Sequence, residues 1–147
     1  MKSLKRFEDF LKEGIVRRVR INKERSKSSV VQAERRMNSL KSRLEKLGIN
    51  DENANDYVEY CYDIIATLVR ARLYLDGYSI GGIGAHEAEV SYLRVLGFPE
   101  NDVQFVDQMR FFRNGILYYG TALDAEYAEK VIEFTKQIYP KLRELIK

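Results

Sequence analysis

In the stretch Arg110–Gly120, RFFRNGILYYG, two arginines, an asparagine and a Tyr-Tyr pair interrupt an otherwise apolar helical pattern. The planar guanidinium suits a phosphate or a carboxylate, a neighbouring amide can orient it, and a tyrosine offers a hydroxyl and a stacking face. On a helix Arg110 and Arg113 are three apart and Asn114 and Tyr118 four apart, so each pair shares one stretch of surface. A guanidinium partly buried among Phe111, Phe112 and Tyr119 needs acceptors, and Glu59 and Asp63, one helical turn apart upstream, are the candidates.

The rest of the titratable inventory narrows the chemistry. His86 is the single histidine and Cys61 the single cysteine. No internal disulfide, no zinc-type Cys/His set and no two-histidine mechanism within one chain follows from that pair, and no metal or cofactor is expected. Cys61, between Tyr60 and Tyr62, reads as a small buried apolar residue rather than a reactive thiol. His86 reads as a residue at the start of a helix rather than a catalytic base.

Charge is divided unevenly along the chain. Residues 1–48 carry fifteen Lys/Arg against six Asp/Glu, a net of +9, and residues 49–147 a net of −6. The excess peaks at Arg17, Arg18, Arg20, Lys23, Arg25 and Lys27, opposed only by Glu24. Such a patch can hold a phosphate backbone or an acidic partner surface, but charge runs usually just solvate, and the solvated face of a long helix is the first reading.

These side chains must be positioned by helices. The apolar and charged fractions, 45% and 32%, fit a soluble globular chain, and 147 residues suffice for one domain with one core. No apolar run approaches the roughly 20 residues that span a bilayer. The N-terminal MKSLKRFEDFLKEG is amphipathic, with apolar residues at 4, 7, 10 and 11, and is not a signal peptide, so a cytoplasmic protein is expected. Only two prolines and no sustained apolar/polar alternation predict an all-α chain without strands.

A first helix ends near Gly14. A second carries Val30, Ala33, Met37, Leu40, Leu44 and Leu47 on one stripe and stops at Gly48, while residues 15–29 either join or break it. Asp51, Asn53 and Asn55 are candidate caps for a third helix over Tyr57–Asp76, apolar nearly all round and therefore central. The glycines from Gly77 to Gly84 lack any phosphate-loop pattern and read as a connector. A short helix spans about His86–Leu96. Another follows Pro99, turns Val103, Phe105, Val106, Met109, Phe112, Ile116 and Tyr119 inward, and ends at Gly120. Asp124 caps a last helix, with Tyr127, Val131, Phe134, Ile138, Leu142 and Leu145 as its stripe and a kink expected at Pro140. The sum is an antiparallel bundle of five or six helices, one domain over 1–147 with residues 1–25 as a basic N-terminal extension.

The order of these elements is similar to that of the HEPN superfamily: a basic amphipathic helix, a central helix ending RARLYLDGY, the short AHEAEVSYLRVLG helix, an R-N-x-x-x-Y-Y-G helix and a final EYAEKVIEFTKQIYPKLREL helix. The resemblance covers roughly residues 26–145. It implies an HEPN-like bundle, a homodimer, and partnership with a minimal nucleotidyltransferase in a toxin–antitoxin arrangement. Ribonuclease members of that family use an Arg, commonly followed by a polar residue, with four to six residues before a His. Carried over, Arg113 is the motif arginine and Asn114 the polar residue, but the histidine position holds Tyr118, or Tyr119 at one longer spacing. An imidazole near pKa 6.5 exchanges protons at neutral pH, whereas a phenol near 10 is a poor base.

Three readings follow. The first is a non-catalytic binding module in which Arg113, Asn114 and Tyr118, with Arg110 behind them, hold a nucleotide, an RNA or a nucleotidyltransferase partner. The second is a metal-independent endoribonuclease in which Arg113 supplies the cation and the base is one of Tyr118, Glu59, Asp63 or His86. The third is a purely structural bundle, with Arg113 a satisfied core arginine.

Overall fold

The computed structural model describes residues 3–146; Met1 and Lys2, at the start of the expected first helix, and Lys147 lie outside the described residues. Among the described residues the chain forms six helices and one two-stranded sheet: α1 (Phe7–Lys12), β1 (Val16–Arg18), α2 (Lys23–Leu47), α3 (Ala54–Asp76), β2 (Tyr78–Ile80), α4 (Ala85–Val95), α5 (Glu100–Tyr119) and α6 (Ala125–Glu144). The chain is a helical bundle.

Helix α3 is its centre, packing against α2, α4, α5 and α6. Thirteen of its residues are buried, including Tyr57, Cys61, Tyr62, Ile65 and Leu68, which is the consequence of apolar side chains on nearly every face. Burial of Cys61 pushes its thiol up to about 11, leaving it a packed apolar side chain. Gly48, Gly77 and Gly120 stand at the C-terminal ends of α2, α3 and α5, all with positive φ. The Asp124 side chain accepts the Tyr127 N–H at the start of α6, and α6 continues through Pro140.

The expectation of no strand is corrected. β1 and β2 pair antiparallel, Val16 opposite Ile80 and Arg18 opposite Tyr78. Three-residue strands are too short for alternation to register, and one lies in the basic run while the other lies in the glycine-rich connector. Gly77 makes the pairing possible. Its N–H caps α3 at φ +80°, the Val19 N–H donates to its carbonyl at 2.8 Å, and a Cβ there would lie 2.9 Å from the Val19 carbonyl oxygen. Residues 15–22 therefore separate α1 from α2, which opens at Lys23 with the Asn22 side chain accepting the Arg25 N–H.

The described part of the N-terminal stretch, residues 3–25, is tied to the bundle. Leu4, Phe7, Phe10 and Val16 belong to the same buried cluster as Leu68, Val90 and Leu93. Two positions on the expected stripes face solvent instead, Leu47 and Tyr119. Each sits in the last turn of its helix, where a residue continuing the periodic stripe has no neighbouring element to cover it.

Candidate functional site

Three elements meet where the sequence places its candidates. α3 contributes Glu59, Tyr62 and Asp63; the first turns of α4 contribute His86, Glu87 and Glu89; α5 contributes Asp107, Arg110, Arg113 and Asn114. The i, i+3 and i, i+4 spacings put the α3 set and the α5 set each on one face of its helix, and likewise His86 with Glu89 on α4.

Arg113 reaches from α5 to α3. Its Nη2 lies 3.3 Å from Asp63 Oδ1 and its guanidinium carbon 5.4 Å from the centre of the Tyr62 ring, while its Nε is buried and has no hydrogen-bond partner. Arg36 of α2 approaches the other oxygen of Asp63 at 3.8 Å. Glu59 is in the same electrostatic neighbourhood: burial raises its carboxyl above the usual range and Arg113 opposes that shift, with Asp56 and Asp63 adding to it. The expected pairing of an α5 guanidinium with α3 is thus made by Arg113 through Asp63.

Arg110 goes elsewhere. Its Nε donates to Asp107 Oδ1 at 2.8 Å on its own helix and its Nη1 lies 3.7 Å from Glu87 Oε1 of α4. It is only 8% exposed, and Asp107 is fully buried, so Arg110 serves the α4–α5 contact, behind Arg113. Gly115, which follows Arg113 and Asn114, has a packing reason as well. A Cβ on Gly115 would meet Thr121 Oγ1 at 2.8 Å, and the Thr121 and Gly120 N–H groups both donate to the Gly115 carbonyl. Asn55 then clamps the returning loop, donating to the Thr121 carbonyl and accepting from the Leu123 N–H.

Tyr118 and Tyr119 stand apart from Arg113. They are 75% and 85% exposed and make no side-chain hydrogen bond among the described residues. Five positions along a helix turn a side chain by about 140°, so Arg113 can lean on α3 only while Tyr118 faces away. Asn114 is half-buried, also without a side-chain hydrogen bond among the described residues.

The structure adds residues that sequence reasoning did not single out. Tyr62, 1% exposed, carries a hydroxyl without a partner; burial pushes its phenol far above the usual range, Glu89 adds to this, and Arg110, Arg113 and Arg70 oppose it. Glu89 is buried against the Arg70 guanidinium, which donates to both of its oxygens. His86 lies in the first turn of α4 with Nδ1 3.3 Å from Glu89 Oε1, an ion-pair distance without hydrogen-bond alignment, and its ring centre is 6.0 Å from that of Tyr62. The i, i+3 spacing of His86 and Glu89 was the only sequence signal for that pair. Four buried side-chain atoms that make no hydrogen bond among the described residues, Tyr62 Oη, His86 Nδ1, Asp107 Oδ2 and Arg113 Nε, thus lie on the three helices α3, α4 and α5 that meet here.

Comparison of the chain with family models, with curated proteins and with solved structures returns no match. The site must be read from its own geometry.

The basic patch is remote in the chain from that junction. Arg17, Arg18, Arg20, Lys23, Arg25 and Lys27 are all exposed around β1 and the first turns of α2. Arg18 lies over the Tyr78 ring and Arg25 over the Tyr74 ring, so two of the six already have aromatic partners. No helix among the described residues is long and apolar enough to cross a membrane.

Proposed function

We propose that this chain is a non-catalytic, HEPN-like binding module of the cytoplasm that works as a homodimer and, beside that dimer contact, holds an anionic partner: a nucleotide, an RNA or the surface of a nucleotidyltransferase in a toxin–antitoxin-like pair. One observation carries the reading. The second half of α5 exposes Phe111, Leu117, Tyr118 and Tyr119, and between Phe111 and Leu123 the only charged residue is Arg113. A patch that is aromatic, nearly uncharged and open to solvent is costly for a monomer and suits a contact between identical surfaces. Arg113 at its edge, one-fifth exposed and with Asp63 as its single ion-pair partner among the described residues, is the cation on offer to a phosphate or carboxylate.

The test is the oligomeric state, measured by light scattering, of the parent and of a Leu117→Asp/Tyr118→Asp variant. A dimeric parent and a monomeric variant of equal helicity support the reading. A parent that is monomeric at a concentration of about 100 µM removes the stable homodimer on which the reading rests. Arg113→Ala then reports on the anionic partner, with loss of RNA or nucleotide binding at unchanged thermal stability as the expected outcome.

A metal-independent ribonuclease is the second reading, favoured by the proximity of His86, the only imidazole of the chain, to the Tyr62 ring on which Arg113 rests. It requires RNA cleavage in the presence of a chelator that disappears in both Arg113→Ala and His86→Ala.

A further inference from the structure

On another face of the bundle, α2, the C-terminal end of α3 and the C-terminal end of α6 enclose an open groove of about 580 Å³. Val30, Val31, Leu75 and Ile146 line it, and Lys23, Lys27 and Arg143 stand along it. The α2 wall has a regular reason. Positions 23, 27, 30, 31 and 34 recur at three- and four-residue spacing, so this strip of α2 runs alongside the buried stripe of Ser26, Ala33, Met37 and Leu40. It is about 16 Å long, three helical turns.

The charges along it are unequal. At one end Arg143 is paired with Glu34 at 3.3 Å. At the other, Lys23 and Lys27 make no ion pair among the described residues, and Val31 is half exposed between the two ends. Just before them in the chain, Val19 and Ile21 are exposed among Arg17, Arg18 and Arg20. The surface is therefore apolar along its floor and positive at one end.

We infer that this groove is a docking site for an amphipathic helix of a protein partner, about three turns long, whose apolar stripe lies on Val30, Val31 and Leu75 and whose flanking Asp or Glu residues pair with Lys23 and Lys27. Its three-turn length and apolar floor suit the i, i+3, i+4 and i+7 anchors of one helical face. The unpaired lysines give the sign of the flanking charge. The exposed face of α5 in a second copy does not supply such a helix: its exposed apolar residues, Phe111, Leu117 and Tyr118, have no acidic neighbours on their half of the helix. Single-stranded RNA is disfavoured because none of the lining residues is aromatic, so bases have no ring to stack on. The inference is independent of the α5 interface and survives or fails without it.

The experiment uses the full chain and fluorescent 14-residue helical peptides with a Leu/Ile stripe flanked either by Glu or by Lys, with fluorescence anisotropy as the readout. Lys23→Glu/Lys27→Glu and Val31→Asp are exposed substitutions, and their circular dichroism spectra are expected to match the parent. Binding of the Glu-flanked peptide, roughly tenfold weaker in each variant and weakened by salt, is the expected result. Absence of binding, equal binding of the Lys-flanked peptide, or binding indifferent to both variants overturns it. Association through the same lysines with single-stranded RNA or anionic vesicles, without peptide binding, overturns it as well.

Discussion

Arg113 crosses from α5 to α3 to meet Asp63 at 3.3 Å while resting on the face of Tyr62. The pair is neither fully buried nor free: about a fifth of the arginine side chain and a third of the aspartate remain in contact with solvent. That intermediate position leaves the pair with a weak internal bond. Replacing Asp63 by Asn is expected to cost about 1 kcal/mol of stability after allowing for solvent screening. In a double-mutant cycle with Arg113→Ala, measured by urea unfolding, the coupling is expected at about 0.5–1 kcal/mol. A coupling of zero would detach Arg113 from α3.

Arg110 and Asp107 obey a different balance. Asp107 is fully buried and one of its oxygens has no partner, so removing the guanidinium leaves a desolvated charge. Arg110→Ala is expected to destabilise by about 3 kcal/mol. An Arg110→Leu/Asp107→Leu variant, which removes both charges, is expected to recover a large part of that loss in the same thermal or denaturant assay. If Arg110→Ala leaves the melting temperature unchanged, the structural role assigned to Arg110 fails.

Gly115 offers a test of the α5 end. Exchange of a helical glycine for alanine in open space stabilises by about 1 kcal/mol, but here the new Cβ would stand 2.8 Å from Thr121 Oγ1. Gly115→Ala alone is expected to be neutral or destabilising. In a Thr121→Ala background, where the hydroxyl is gone, the same change is expected to be stabilising, and additivity of the two substitutions would contradict the contact.

Glu59 titrates in a direction set by burial. Its carboxyl holds its proton more tightly in the folded chain than in the unfolded one. The stability gained from protonation is therefore present in full below the unfolded value of about 4.3 and is lost as pH rises through the raised folded value. Glu59→Gln is expected to unfold at higher urea concentration than the parent at pH 7, with the gap narrowing as the pH falls toward 4. A gap that widens on acidification would show Arg113, not burial, to dominate at Glu59.

Much of the frame was legible in the sequence because it depends on local rules. Glycines and an aspartate marked where helices stop and start, and the all-round apolar character of Tyr57–Asp76 marked α3 as central. The Arg113–Asp63 pairing was within reach for a similar reason: a half-buried guanidinium needs a carboxylate, and few helices could offer one. Arg110 was harder, because its partners came from its own helix and from α4, and spacing alone cannot rank Asp107 above Glu59. The β1–β2 pairing joins residues about sixty positions apart and rests on the close approach that Gly77 allows, a contact with no local signature.

By itself the sequence determined the helical character, most helix boundaries and the residue types that can do chemistry, since these follow from periodicity, capping and side-chain inventory. Only the tertiary structure decided which candidates meet. It joined Arg113 to Asp63, sent Arg110 to Asp107, left Tyr118 and Tyr119 in solvent and brought His86 beside Tyr62. The physical reason is that burial and pairing depend on which faces of α3, α4 and α5 pack together, a choice made by the whole core rather than by any one segment.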